Sequence, residues 1–269
     1  MSSVAEAAVL QNKLEDPKSP LGVYDLPCGY LAEDGRLLTE IELGEITGHE
    51  EDILTSLTMP DYKKVGAVIG RCIKRIGDIT DRGKIASIAK DLTIGDRTYV
   101  MFMLRRLSLG DYYPFRAVCP SFGCQAQGTY SVNLAELEIK KMPEPKKRTY
   151  EFELPRSKKM AVVRIATGAT EEETSKIKGI DDKMSLNMLS KLELLDGKPP
   201  VMDDVKALPL MDRNFLRDVF DEIDGGVETD VELRCQECGR EFTQVVDPGQ
   251  RDFFFPSRQA RNSKTNSST

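Results

Sequence analysis

Residues 119–124 read Cys-Pro-Ser-Phe-Gly-Cys, and residues 235–239 read Cys-Gln-Glu-Cys-Gly. The second run is C-x2-C followed by glycine, the spacing at which two thiolates reach one ion while backbone N–H groups point at the sulfurs. The first run, C-x4-C, sits at the long end of the usual two-to-four gap. Each lies between two strand-like stretches: 113–118 and 129–134 about the first, 231–234 and 241–246 about the second. Two such hairpins face to face bring Cys119, Cys124, Cys235 and Cys238 into a tetrahedral S4 set, which selects zinc over harder cations. About 110 residues separate the pairs, so a shared ion ties the middle of the chain to its end and restricts the unfolded state. All four ligand positions are then filled, which makes the zinc structural. Surface thiols or a redox Cys-x-x-Cys are the alternative; a redox dithiol prefers a helix N-terminus, whereas Cys235 and Cys238 sit between strands.

Working back from the first hairpin, Ile94-Gly95-Asp96 opens a helix that runs to about Leu109, with Asp96 as N-cap and Val100, Met103, Leu104 and Leu107 inward. A helix is expected from Asp61 to Asp78, its stripe formed by Val65, Val68, Ile69, Cys72, Ile73 and Ile76. Cys72 falls within that stripe and reads as packing, and Gly66 and Gly70 read as close helix contacts, not a phosphate loop. Thr47-Gly48-His49-Glu50 is a capping box that starts a shorter helix. The alternation Leu37, Thr39, Ile41, Leu43 suits an edge or half-buried strand.

Working forward, 151–154 and 160–165 form a hairpin with a basic turn. Thr170-Glu171-Glu172-Glu173 supplies a second capping box for a short helix towards Lys178. Residues 184–195 fit helix or strand equally. Asp212 caps a further helix that buries Phe215, Leu216, Val219, Phe220 and Ile223. The order of elements gives an α+β fold: a helical N-terminal part, antiparallel β-hairpins and a split four-cysteine site resembling a zinc ribbon. The organisation expected is a flexible arm over 1–20, a mainly helical region with the first knuckle over 21–142, an α+β region with the second over 143–257, and a disordered tail over 258–269. No long repeat is evident.

The chain has 269 residues, of which 40% are hydrophobic and 30% charged, the balance of a globular protein with a substantial core. No run is long and apolar enough for a membrane span, and the N-terminus lacks the pattern of a signal peptide, so synthesis in the cytoplasm is the default expectation. A net charge of −6 argues against a non-specific grip on phosphate backbones, and the absence of tryptophan against a stacking platform. Basic residues do gather at Lys146, Lys147, Arg148, Arg156, Lys158 and Lys159; as solvated loop charge they need no ligand, and a zinc-ribbon nucleic-acid-binding module is the alternative that would use them. The single histidine, His49, lies in a helix start. That leaves no His-based metal site, and a Ser–His–Asp triad would have to be built on it. Cys28, in a Pro-Cys-Gly turn, is the one candidate nucleophile, with an incidental thiol as the plainer reading.

Several stretches in order resemble a known family. These are Leu26-Pro27-Cys28-Gly29-Tyr30 before a strand, Ile46 to Leu54 with its charged helix start, Asp91 to Gly110 with a Gly-Asp turn leading into an arginine-containing helix, and the two cysteine pairs. Together, over about Val23 to Val246, they resemble the baseplate hub assembly and structural proteins of contractile-tailed, T4-like bacteriophages. The first cysteine pair departs from that pattern in its longer gap. The resemblance implies a non-enzymatic role in building the tail baseplate: binding other phage baseplate hub or wedge proteins, residence in the virion, and no catalytic residues, membrane or small-molecule substrate.

Overall fold

The computed structural model describes residues 22–175 and 183–256. The arm expected over 1–20 and the tail expected over 258–269 lie outside them. The fold is α+β: among the described residues, nine α-helices alternate with five small antiparallel sheets. No described helix is long and apolar enough to cross a membrane.

The first three-stranded sheet is β1 (Val23–Leu31), β2 (Leu37–Leu43) and β3 (Ile73–Ile76), in that order. The 37–43 stretch, expected at an edge or half-buried, is therefore the central strand, with Ile41 and Leu43 in the core. Between β2 and β3 come α1 (Gly48–Thr55) and α2 (Asp61–Cys72); α3 (Arg82–Asp91) and α4 (Ile94–Leu109) follow. The capping box at Thr47 is present: Glu50 Oε2 accepts from Thr47 N at 3.0 Å, and Glu50 also pairs with Arg71 at 2.8 Å.

The helix expected over 61–78 stops at Cys72 and passes directly into β3. The stripe gives no warning, because Ile73 and Ile76, like Ile69, are fully buried on the same core. Cys72 is packing, as its place in the stripe suggested, and Gly70 lies against Ala86 and Ala89 of α3. Helix α3 itself went unread, although Asp81 caps it by accepting from Lys84 N at 2.8 Å.

The second three-stranded sheet is β7 (Thr149–Glu153), β8 (Met160–Arg164) and β9 (Leu192–Leu195). Helices α5 (Gly168–Thr174) and α6 (Lys183–Lys191) separate β8 from β9; α7 (Met202–Lys206) and α8 (Leu210–Ile223) follow. The ambiguous 184–195 stretch is thus helix and then strand. The capping box of α5 lies one turn before the expected one: Thr167 Oγ1 accepts from Thr170 N at 3.4 Å and Thr170 Oγ1 from Thr167 N at 2.9 Å.

The two ββααβαα modules have the same architecture, which corrects the reading that the chain lacks a repeat. In each, a helix runs straight into the third strand, with the same burial pattern over Ile73–Ile76 and Leu192–Leu195. Each third strand bridges back on itself, Ile76 to Ile79 and Leu195 to Lys198. The turn needs a left-handed residue, supplied by Gly77 (φ 54) in one case and by Asp196 (φ 51) in the other. Arg97 Nη1 donates to Ala89 O at 2.8 Å, and Arg213 Nη1 donates to Val205 O at 2.9 Å; each spans eight residues.

Asp96 and Asp212 are an informative pair. Neither caps its helix; Thr93 and Pro209 hold the N-cap positions. Both aspartates lie in the first turn, fully buried, and accept backbone N–H groups from the residues that follow a Leu-Pro pair. Asp96 Oδ1 takes Cys28 N at 2.8 Å, while Asp212 takes Arg156 N at 2.6 Å and Ser157 N at 3.0 Å. Asp96 Oδ2 is buried without a partner, and burial pushes its carboxyl up from 3.8 to about 6. For Asp212, burial acts the same way but the donors from Arg156 and Ser157 outweigh it, so its carboxyl is held low.

Opposite pH dependences follow. The folded-state value of Asp96 is raised, so its contribution is complete below 3.8 and is lost as pH rises through about 6. The depressed Asp212 contributes above its unfolded value, and that is lost as pH falls through the folded one. Asp96→Asn should therefore gain stability relative to wild type between pH 4.5 and 7.5, whereas Asp212→Asn should keep a constant deficit across that range and narrow it only as pH falls below 3.8. Urea midpoints at the two pH values check both, and parallel behaviour of the variants would refute the assignment.

Buried hydrophobic side chains form two clusters. One gathers the first module together with Tyr113, Phe115, Val231, Val246, Phe253 and Phe254; the other gathers the second module with Cys28 and Met142.

Candidate metal centre

Two hairpins grow from this framework. The first pairs β4 (Tyr112–Val118) with β5 (Gln127–Asn133), and the second pairs β11 (Asp230–Arg234) with β12 (Glu241–Val245); the short strands β6 (Ile139–Lys140) and β10 (Gly226–Val227) pair with each other. Each is two-stranded and marginal alone. They are seated on the first module by an aromatic series. Phe253 of α9 (Arg251–Phe254) packs edge-on against Phe102 and Tyr113, each at 5.1 Å. Tyr130 then meets Phe115 at 6.3 Å and Phe242 of the other hairpin at 5.9 Å. Arg105 is buried beside them, its guanidinium 5.3 Å from the Tyr113 ring and 5.6 Å from Phe253.

The tips are built alike. Cys119 N donates to Ala126 O at 2.9 Å and Cys235 N to Arg240 O at 2.8 Å, closing each knuckle at its base. The residue after the second cysteine is left-handed in both: Gln125 (φ 48) and Gly239 (φ 70). Glycine takes this conformation freely, and glutamine only at a cost. Ser121 O accepts from Cys124 N and Gln125 N, which accommodates the two extra residues of the longer knuckle. Phe122, at that tip, is 96% exposed.

The structure brings all four expected cysteines together. Their sulfurs lie within 4.8 Å of one another, Cys119 Sγ to Cys238 Sγ at 3.7 Å and Cys124 Sγ to Cys235 Sγ at 3.8 Å. The first cysteine of each knuckle faces the second of the other, a two-fold arrangement. No disulfide links them, and such separations are far beyond an S–S bond. Four sulfurs about 2.3 Å from a tetrahedral zinc would stand about 3.8 Å apart, so the donor set and its spacing both fit that ion. Backbone N–H groups of Cys238 and Glu237 point at Cys235 and hold its thiol down at about 7. Cys119 and Cys235 are buried, Cys124 is half-buried and Cys238 is exposed.

The other residues singled out in the sequence stand apart from this cluster. Cys28 is buried in the second core, where burial, with Asp96 next to it, pushes its thiol up to about 12, the reverse of an activated nucleophile. His49 is exposed in the first turn of α1. Several of the basic residues have partners of their own: Lys147 pairs with Glu144 at 3.2 Å, Lys158 with Glu153 at 3.0 Å, and Arg148 donates to Gly29 O of the first module at 2.8 Å.

Comparison of the chain with curated proteins and with solved structures gives no significant match. Among protein families, the model described as T4 bacteriophage base plate protein matches residues 31–255. That span takes in the first module from the end of β1 onward, the whole second module and both cysteine knuckles, and the chain belongs to this baseplate family.

Proposed function

We propose that this chain is a non-enzymatic structural or assembly component of a contractile phage tail baseplate, binding neighbouring hub or wedge proteins, with its two hairpins clamped by one structural zinc ion. The observation that carries the reading is the closure of the four-thiol cluster: Cys119, Cys124, Cys235 and Cys238 supply a complete tetrahedral set. No ligand position remains for water or substrate. The family match supports the setting, a virion tail baseplate; synthesis in the host cytoplasm is part of the same proposal.

Proximity cross-linking in infected cells, followed by mass spectrometry of purified tails and of assembly intermediates, tests this. The chain should be recovered cross-linked to baseplate subunits in at least one of the two fractions. Recovery from neither would refute the proposal.

A further inference from the structure

The contact between the two modules uses a different part of each. On the first module it is the irregular stretch of β1 over Leu26–Gly29 and the start of α4, with α2 and α3 beside them against α5. There Cys28 and Thr93 are buried, Ile94 N donates to Ala166 O at 2.9 Å, and Gly168 N donates to Leu92 O at 3.1 Å. On the second module it is the Thr167 turn and α5, from which Glu171 approaches Arg97 to 3.5 Å. A two-fold contact would also pair the converse surfaces, the Thr47 turn with the start of α8. Both are open instead: Thr47 and Gly48 are exposed, and Leu210 and Met211 are 68% and 60% exposed. The modules are joined head to tail, and each leaves free the surface that is filled on the other.

Among the described residues, the open end of the second module carries apolar side chains without cover: Leu210 stands where Ile94 stands in the first module, with Met211 beside it. On the other face, Gly48 stands where Gly168 packs against Arg97, and nothing lies within 4 Å of a β-carbon built there. Isolated exposed apolar side chains need no explanation, but Leu210 and Met211 lie on a face that is filled on the first module.

We infer that copies of this chain associate head to tail, the Thr47–Gly48 turn of one copy docking on the Leu210–Met211 end of the next. Ile46 and Gly48 correspond to Ala166 and Gly168; Leu208 and Leu210 correspond to Leu92 and Ile94. In the association Ile46 O accepts from Leu210 N, and Gly48 N donates to Leu208 O, repeating the two bonds that join the modules within a chain. Pro209, which replaces Thr93, is no obstacle, because both bonds run through its neighbours. Met211 replaces Gly95, so the close backbone approach made at Gly95 is not repeated, and a flexible methionine fills that space. The contact between chains is accordingly weaker than the one inside them. Being heterologous, it closes into a ring or continues as an open chain. It is independent of the baseplate reading.

Light scattering on full-length, metal-loaded protein up to about 100 µM, where weak association is populated, provides the test. The wild type should exceed the 30.1 kDa of one chain and grow with concentration. Gly48→Arg and Leu210→Asp each spoil one face at an exposed site, so both should fold with unchanged melting and stay at the single-chain mass. An equimolar mixture of the two keeps one intact pair of faces and should stop at twice that mass. A wild type that is monomeric throughout, a mixture that does not pair, or an oligomer that survives either single substitution would overturn the inference. A monomeric wild type whose Leu210→Asp variant is lost from tails would assign the face to another subunit, and would overturn it equally.

Discussion

One zinc ion per chain, released by a strong chelator together with the folded hairpins, is the expected result of elemental analysis and native mass spectrometry on the purified protein. Each hairpin is seated on the first core by its base, and what joins the two to each other is the sulfur cluster and the Tyr130–Phe242 contact. Structural zinc sites of this kind have apparent binding free energies of about 10 kcal/mol or more. That is comparable to the whole stability of a domain, so the loss does not stay local. Val231, Val246, Phe253 and Phe254, all on or after the second hairpin, cover the first core. Cys235→Ser should abolish metal binding and sharply increase hydrogen exchange across residues 112–133 and 230–255, exposing Phe102 beneath Phe253. Cys72→Ala, a buried cysteine outside the cluster, should cost stability but leave one zinc per chain. Acidification should release the ion, because protons compete for the thiolates. Metal-free protein with an unchanged melting profile would remove the clamp from the account.

The cysteine site was legible in the sequence because its signals are local: two-residue alternation on both sides of each knuckle, and a spacing that few other functions require. The α1 start was legible for the same reason, since a capping box is a four-residue pattern. What could not be read were features decided by contacts across the chain. At Cys72 and Lys191 the apolar spacing continues unbroken while the backbone changes from helix to strand, and only pairing with β2 and β8 ends each helix. Asp96 and Asp212 have the composition of N-caps, yet each reaches across to another element's backbone. The repeat was there in outline: Leu26-Pro27 and Leu154-Pro155, Thr47-Gly48 and Thr167-Gly168, Asp96-Arg97 and Asp212-Arg213, then the cysteine pairs, all in one order. Insertions change the spacing between matched positions, so no fixed period exists to be found. Only the shared hydrogen bonds make the dipeptides recognisable as the same place.

Gly95→Ala should part the two modules, although alanine at a helix position normally helps. A β-carbon built at Gly95 falls 1.8 Å from Gly225 O, a backbone atom, so no side-chain rotation relieves the clash. Retreat is blocked on both sides. The start of α4 is fixed by the Thr93 cap, the Asp96 bond to Cys28 N and the Ile94 bond to Ala166 O. Gly225 is wedged in turn, its own β-carbon position lying 2.7 Å from Met142 N and 2.9 Å from Cys28 Sγ. In an exposed helix the substitution would gain about 1 kcal/mol from backbone entropy. Overpacking against a rigid backbone costs about 3 kcal/mol or more, so the net effect is a clear loss. Because the hairpins rest on the first core, the loss should fall on the module junction: lower melting, faster exchange around Cys28 and Asp96, and metal content unchanged. Met211→Ala alters the corresponding position of the second module, where the side chain is 60% exposed, and should leave the melting of the single chain as it was. The contrast isolates the contact from the helix. Equal stability of Gly95→Ala and wild type would mean that α4 and the Gly225 turn do not meet as closely as described.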